Sequence, residues 1–278
     1  MDIRPVDLPD LRMDLVAAFE SAHEQPWQRS AGSIGVHASV LASHVIQGAR
    51  DGDLYHVSSE MTDLAASAAE SLPEFEISPE DFPSPAGLML LDGAGLTAAG
   101  ELAAVKGLVW FCGAQSAWFY PVRSTAEVFT NRKHRAQMLG RVGKLITLGD
   151  AAACQYGRTL PSSNTTFVLQ VFRTAWLLMQ QTLVLASDVA PDRATRKRLH
   201  RAGYEPKPVR VIELRRPAHS GSGDGSREFH HQWIVRGHWR QQWYPAREVH
   251  RPVWIAPHIK GPEGAPLLGG EKVYAWKR

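Results

Sequence analysis

The alternation of apolar and polar positions divides the chain into a helical beginning, a mixed middle and a β-rich end. Residues 11–24, 33–49 and 58–71 each have apolar side chains every three or four positions, which is the spacing of an amphipathic helix. In the first of them, Leu11, Leu15 and Phe19 fall on one face. Residues 72–85 follow with four prolines, and this composition predicts an extended connector.

The middle of the chain combines short apolar runs with one long one. Residues 87–92, 106–112 and 117–122 have the length and composition of strands. Residues 165–187 are apolar nearly all round, which is typical of a helix packed on several sides in the core. Gln170, Arg173 and Gln180 interrupt this run, so it does not have the composition of a membrane span. A short basic helix follows and ends at Gly203.

The last third of the chain has the pattern of an antiparallel β-meander. Strands are predicted at 209–216, 227–244, 251–261 and 272–277, with a glycine- and serine-rich loop at 217–226. The predicted fold is therefore α+β: a helical N-terminal part with a small β-hairpin region, a central buried helix, and a C-terminal four-stranded antiparallel β-meander. Three regions are predicted, 1–86, 87–187 and 188–278, packed as one or two compact units.

The composition is that of a globular protein with room for a large core. The 278 residues are 44% hydrophobic and 21% charged, which is ordinary for a soluble domain. Cys112 and Cys154 alone provide neither a disulfide framework nor a four-thiolate zinc site. The first residues lack the apolar stretch of a signal peptide. These features predict a cytoplasmic protein.

Charge is distributed unevenly along the chain. Residues 1–100 contain four arginines, no lysine and sixteen carboxylates, a net charge of −12. The remaining residues contain 27 basic and 12 acidic side chains, a net charge of +15. Such polarity indicates contact with nucleic acid, or inhibition of the basic part by the acidic N-terminal half or by a partner protein. The alternative is a dipolar charge distribution that only aids solubility.

Two glycine-rich segments resemble nucleotide-binding loops without meeting their requirements. Gly93 to Ala98 fits G-x-G-x-x-A after a predicted strand, but no acidic residue lies near position 115 to hold a ribose. Gly140 and Gly143 lack the G-K-[ST] of a phosphate-binding loop. The histidine-rich segment near the C-terminus has neither H-x-x-x-H nor H-E-x-x-H spacing. We therefore expect no cofactor and no metal.

Residues 228–260 interleave five histidines and five cations with tryptophan and tyrosine. A solvated surface rarely needs so many tryptophans, and a dry core rarely tolerates so many cations. Strand alternation would place Trp233 and Trp239 on a core face and the cations on the other, if the meander has the assumed register. The polar face so predicted contains Glu213, Arg215, Arg236, His238, Arg240, Trp254, His258 and Lys260.

This polar face has the groups that metal-independent cleavage of RNA requires. Glu213 or His238 would remove the 2′-hydroxyl proton, and His258 or His238 would protonate the leaving oxygen. Arginine and lysine would stabilise the charge on the phosphorane. The predicted catalytic residues are Glu213, Arg236, His238, Arg240, His258 and Lys260. The predicted nucleic-acid-binding residues are Arg215, Tyr244, Trp254, Arg196, Lys197 and Arg201.

The function predicted from this face is a toxin-like or defence-like endoribonuclease, with RNA favoured over DNA and no membrane partner. Two alternatives stay open at this point. One is a nucleic-acid-binding or regulatory protein without catalysis, in which cations neutralise phosphates. The other is a protein-interaction module that uses the same tryptophan and arginine surface. A purely structural explanation also exists, with tryptophans in the core and arginines paired to the acidic half.

Overall fold

The computed structural model describes residues 3–23, 43–97, 103–147, 152–159, 164–215 and 232–260. The chain divides into two compact units, Met1–Arg215 and Arg216–Arg278, called unit 1 and unit 2 below. Within the described ranges, no helix combines the length and the apolar character needed to cross a membrane.

Unit 1 combines helices with one large sheet. The helices described are α1 (Leu8–His23), α2 (43–50), α3 (Ser59–Ala69), α4 (Thr125–Val128), α5 (Arg132–Val142), α6 (Asn164–Met179) and α7 (Arg193–Arg201). The strands are β1 (Asp53–Val57), β2 (Ala86–Leu91), β3 (Val105–Cys112), β4 (Ser116–Ser124), β5 (Leu145–Thr147), β6 (Ala152–Gln155), β7 (Val184–Val189) and β8 (Val209–Leu214). Polar caps begin several helices: Ser58 accepts from the Met61 amide at 3.3 Å, and Asp192 from the Thr195 amide at 2.7 Å.

The eight strands form a single mixed sheet. Its order is β5-β4-β3-β2-β1-β8-β7, and β6 pairs with another part of β4. β1 is parallel to both β2 and β8, and the other pairs are antiparallel. A parallel pair needs a crossover, and α3 provides part of it between β1 and β2. The carboxyl ends of β8, β1 and β2 therefore meet at one edge of the sheet.

Alternate side chains of the sheet enter two different cores. On one face, leucines of α1 and α7 pack with Leu54, Leu90 and Val122 of the strands. On the other, Trp110 contacts Tyr55 and the Trp176 ring of α6, with ring centroids 5.6 and 5.4 Å apart. Helices thus cover both faces of the central strands, which is why β2 and β3 read as continuous apolar runs.

The predicted C-terminal four-stranded meander is wrong. Residues 209–214 form β8, which pairs with β1 and β7 inside the eight-stranded sheet of unit 1. Val209 and Ile212 are buried there, so the strand is a core strand of the large sheet. The helices are also not confined to the N-terminal part, because α4 to α7 all follow residue 124. The strand predicted at 272–277 lies outside the described residues.

Several local predictions in the middle of the chain are confirmed, and one is corrected. The three apolar runs at 87–122 are β2, β3 and β4. The long helix is α6, but it ends at Met179 and not at Ser187. A turn follows, in which the Gln181 amide donates to Leu178 O at 2.9 Å, and residues 184–189 become β7. Short apolar runs fit a helix and a strand equally well, which explains the error. Of the predicted helix at 33–49, residues 43–49 are described, and they belong to α2.

The described part of unit 2, residues 232–260, forms an interrupted β-hairpin. Strands β9 (Trp233–Val235) and β12 (His258–Lys260) pair antiparallel, as do β10 (His238–Tyr244) and β11 (Val249–Ile255). Val235 pairs with His258 and His238 with Ile255, so the register continues through the break without a shift. The turn between β10 and β11 includes Glu248 at φ 52°.

Candidate nucleic-acid interface

The β10–β11 hairpin has two chemically different faces. Directly opposed residues of an antiparallel pair lie on the same face, so the register assigns each side chain. One face, called the indole face below, carries Trp239, Gln241, Trp243, His250, Pro252 and Trp254. The opposite face, called the arginine face, carries His238, Arg240, Gln242, Tyr244, Val249, Arg251, Val253 and Ile255.

The inner half of the indole face is packed. Trp254 is 8% exposed and meets Trp239 edge to face, with centroids 5.2 Å apart. Gly237 lies beneath the Trp254 ring, and a Cβ at this position would overlap Cζ2 of that indole. Aromatic pairs in this geometry contribute beyond their buried area. The two indoles therefore hold the two strands of the hairpin together.

The outer end of the hairpin exposes aromatic rings on both faces. Trp243 is 43% exposed on the indole face, where its ring lies 4.8 Å from that of His250. Tyr244, the next residue, is 40% exposed on the arginine face, opposite Val249. A folded strand usually buries at least one of two consecutive aromatic residues. Neither is buried here, so the tip offers two ring surfaces to a ligand.

The arginine face supplies positive charge beside these rings. Arg240 is exposed, and its Nη2 donates to Oε1 of Gln242 at 2.8 Å. Gln242 in turn donates from Nε2 to the Trp243 carbonyl at 3.1 Å, so the guanidinium is held along the strand. Residues 232–260 contain four arginines and one lysine against the single carboxylate of Glu248, a net charge of +4. The hairpin is thus a cationic surface with aromatic rings at its tip.

Two histidines flank the break in the hairpin with the same local geometry. Nδ1 of His238 lies 3.1 Å from Arg236 O, and Nδ1 of His258 lies 3.1 Å from Ala256 O. A carbonyl only accepts, so Nδ1 carries the hydrogen in both rings and Nε2 is the basic nitrogen of the neutral form. His238 lies on the arginine face. Because the register continues through the break, His258, which is opposite Val235, lies on the same side of the hairpin as the indole face.

The single polar face assumed from the sequence is not formed. Glu213 is exposed on β8 of unit 1, opposite Leu185, and Arg215 follows the same strand. Within unit 2, Val253 and Ile255 share the arginine face with Arg240 and His238, whereas Trp254 is opposite Trp239. Lys260 is opposite Trp233 in the other ladder. The register differs by one position from the assumed one, which exchanges the two faces of β11.

The predicted site residues therefore divide into three groups: one at β8, one in the unit 2 hairpin and one on α7. Their catalytic and binding roles stay predictions. Arg236, in the break, precedes His238 and Arg240 of the arginine face. The sequence prediction did not include Trp243, although its place in the interleaved segment could have suggested it. Arg196, Lys197 and Arg201 form another group, exposed on α7 of unit 1.

A cleft in unit 1 carries charge of both signs. It encloses about 230 Å³ at the amino ends of β1 and β8. Lys207 pairs with Asp53 at 3.0 Å and Arg210 with Asp188 at 3.2 Å on its walls. The charges are thus matched within the cleft. Among the described residues, no group of three or more potential metal-ligating side chains occurs.

A half-buried histidine in unit 1 was missed by the sequence analysis. His44 of α2 stacks on Phe111 at 5.3 Å, contacts Trp118 at 4.8 Å, and has Nδ1 2.9 Å from the Tyr120 hydroxyl oxygen. Burial lowers the pKa of His44 and raises that of Tyr120. The pattern around His44 is that of an ordinary Ala-rich helix, so no local signal distinguishes it.

No family model, no curated protein and no solved structure matches this chain. A functional assignment therefore depends on the chemistry of the surfaces described above.

Proposed function

We propose that this protein binds single-stranded nucleic acid, RNA in the first place, through the tip and the arginine face of the unit 2 hairpin. The observation that carries the proposal is the exposure of Trp243 and Tyr244 on opposite faces of one strand end, at 43% and 40%. Proteins that bind single strands combine such rings with a cationic track. RNA is the first choice because its recognition centres on unstacked bases in loops and ends.

The arrangement fits a single strand better than a duplex. A base can stack on Trp243 or Tyr244 only when one of its faces is free, which is the case in a single strand. Arg240, on the same face as Tyr244, is placed to meet the phosphates that connect stacked bases. The packed pair Trp239 and Trp254 keeps the hairpin rigid, so little ordering entropy opposes binding.

A protein partner would use some of the same side chains, since tryptophan and arginine are enriched at interface hot spots. The charge distribution favours a nucleic acid over a protein as the partner. Five cations accompany one carboxylate between residues 232 and 260, and a mixed surface would be expected for a typical protein interface. Binding that tolerates high salt and requires a protein would support this alternative.

The test is fluorescence anisotropy with labelled polyuridine and the full chain. Trp243→Ala and Tyr244→Ala should each weaken binding by about 1–3 kcal/mol, the value of one stacked base. Val249→Ala is the matched control, because Val249 is opposite Tyr244 and 39% exposed but has no ring to stack. It should leave the affinity within about twofold. Unchanged affinity in both aromatic variants, or no binding at low salt, would reject the proposal.

Cleavage of RNA is the second candidate, and the geometry of His238 favours it. Its Nδ1 contact with Arg236 O fixes Nε2 as the basic nitrogen, on the same face as Arg240. Nε2 could accept a 2′-hydroxyl proton while the guanidinium of Arg240 stabilises negative charge on the phosphate. No second acid–base group is paired with it in the hairpin ladder, so we place this candidate after binding.

Incubation of total RNA with the full chain tests cleavage directly, through the chemistry of the fragment ends. A 2′,3′-cyclic phosphate is expected if a 2′-hydroxyl attacks. His238→Ala should then reduce the rate by about 10²–10⁴ while polyuridine binding persists. His134→Ala, which removes an exposed histidine of α5 in unit 1, is the control. Fragments that persist in His238→Ala would remove His238 from the reaction.

A further inference from the structure

Helix α7 presents a dense row of cations to solvent. Its nine residues contain five arginines and lysines plus His200, and no carboxylate. Only Thr195 and Leu199 are buried, and they hold the helix on unit 1. Arg198 is exposed but pairs with Asp10, and the other exposed basic residues, called the α7 basic surface below, are Arg193, Arg196, Lys197, His200 and Arg201.

This charge is not neutralised within the described part of the chain. Arg198 pairs with Asp10 at 2.7 Å, but no ion pair involves any cation of the α7 basic surface there. Asp192, the nearest carboxylate in sequence, accepts the Thr195 amide at 2.7 Å as the helix cap. Like charges at i and i+4, as in Arg193 with Lys197 and Lys197 with Arg201, destabilise a helix. The cations of this row therefore repel one another, and an external polyanion would relieve the repulsion.

We infer that the α7 basic surface is a second nucleic-acid contact, which binds backbone phosphates without reading bases. That the ligand is a nucleic acid rests on the proposed function, but this contact uses a different surface, which belongs to unit 1 and not to unit 2. Cations at i, i+4 and i+8 span about 12 Å of helix axis. Positively charged side chains in such a row can follow the phosphates of one strand, whatever its sequence.

A membrane surface is the main alternative partner for a basic helix, and the packing argues against it. A helix that lies on a bilayer inserts an apolar face between the headgroups. Leu199, the large apolar side chain of α7, is fully buried in the core of unit 1 together with Leu15 and Leu54. Insertion would require α7 to leave that core. Phosphate binding uses only side chains that are already exposed.

Two contacts on two units make the chain bivalent. The hairpin tip belongs to unit 2 and α7 to unit 1. A strand long enough to reach both is held at two places, and the second contact then benefits from a high effective concentration. Loss of α7 should therefore weaken binding to long strands more than to short ones.

The experiment compares salt dependence in two matched triple variants of the full chain. One carries Arg196→Gln, Lys197→Gln and Arg201→Gln in α7. The other carries Arg132→Gln, Lys133→Gln and Arg135→Gln in α5, a basic helix of unit 1 in which three of the four arginines and lysines lie in the first turn. Both lose the same charge, and circular dichroism confirms that each folds. Labelled polyuridine is titrated at several salt concentrations, and log Kd is plotted against log salt.

The α7 variant should lower the salt slope by about 2, since each phosphate contact of a single strand contributes about 0.7. The α5 variant should keep the wild-type slope. An unchanged slope in the α7 variant, or equal changes in both, would overturn the inference. The inference would also be overturned if the wild type binds phosphatidylserine vesicles and the α7 variant loses that binding but keeps the wild-type salt slope with polyuridine.

The same titration separates this inference from the proposed function. Trp243→Ala should weaken binding at every salt concentration without changing the slope, because stacking releases no counterions. A hairpin effect without an α7 effect rejects the α7 contact alone. An α7 effect without a hairpin effect rejects the hairpin proposal and leaves α7 as the binding surface.

Discussion

His44 shows how one residue couples the packing of unit 1 to pH. Its ring lies among Phe111, Trp118 and Tyr120, and Nδ1 contacts the Tyr120 hydroxyl at 2.9 Å. Burial lowers the pKa of His44 below its usual 6.5, so the folded protein favours the neutral ring. Its contribution to stability is fully present above the unfolded pKa. It is lost as pH falls through the lowered folded pKa.

We therefore expect His44→Phe to flatten the pH dependence of folding. In the wild type, the free energy of unfolding should fall between about pH 7 and about pH 5, partly because His44 must be protonated in a buried site. The phenylalanine variant keeps a ring against Phe111 but cannot titrate. Urea unfolding across this range measures the difference. His250→Phe, at an exposed position, is the control, and equal pH slopes in wild type and His44→Phe would contradict the argument.

Arg12 is a buried cation with few partners. It is fully buried, Nε and Nη1 have no hydrogen-bond partner among the residues that the structure describes, and Nη2 donates to Glu205 O at 3.3 Å. Burial lowers the pKa of its guanidinium, and the Tyr204 ring 5.1 Å away gives only partial compensation. Desolvation of an ion costs several kcal/mol unless pairing offsets it.

Arg12→Met should leave the protein as stable as the wild type or raise its stability by about 1–2 kcal/mol. Arg50→Met is a matched control, because Arg50 also lies over Tyr204 but is half exposed and pairs with Glu20 at 2.7 Å. It should cost at most about 1 kcal/mol. Thermal unfolding of both variants decides: a larger loss in Arg12→Met than in Arg50→Met would show that the buried guanidinium stabilises the fold.

At the scale of elements, the hairpin depends on a glycine. A Cβ on Gly237 would overlap the Trp254 indole, so Gly237→Val should displace that ring and separate it from Trp239. Overpacking of this kind costs about 1–3 kcal/mol. The circular-dichroism signal of the coupled indoles should weaken, and Trp254 should become accessible to a quencher. An unchanged signal would contradict this packing of the two indoles.

Gly140→Ala is the matched substitution in unit 1. Gly140 lies inside α5, and nothing lies within 4 Å of where its Cβ would be. Alanine there should stabilise the protein by about 0.5–1 kcal/mol, because it reduces the entropy that the helix loses on folding.

Local patterns predicted elements better than they predicted partners. The helix predicted at 58–71, which is α3, and the runs that became β2, β3 and β4 depend on neighbours in sequence, and these elements are where the pattern placed them. One of the two partners of β8 is β1, some 150 residues earlier in the chain, and no sequence periodicity indicates that pairing. The assumed single polar face was wrong for the same reason. The register that places Arg240 and Trp254 on opposite faces was not predictable from one strand.

At the scale of the whole molecule, some of the acidic N-terminal charge is paired with cations within unit 1. Asp10 pairs with Arg198, Glu20 with Arg50 and Asp53 with Lys207. Two of these pairs join the acidic first hundred residues to the basic part of the chain inside one unit. This pairing reduces the charge left to restrain the C-terminal hairpin. Inhibition by the acidic half stays a prediction, and its test must respect the boundary between the units.

That boundary decides which fragment is informative. A fragment beginning at residue 188 would remove α7 and β8 from unit 1, and β8 pairs there with β1 on one side and β7 on the other. A chain ending at Arg215 keeps the eight-stranded sheet and both cores, so it should unfold cooperatively by itself. It should also bind polyuridine weakly, with the salt slope that α7 provides. A broad, non-cooperative transition would show that unit 1 needs residues 216–278. A fragment of those residues lacks the α7 contact, so it should bind polyuridine more weakly than the full chain if the acidic part does not inhibit the hairpin. Tighter binding by the fragment would show inhibition by the acidic part.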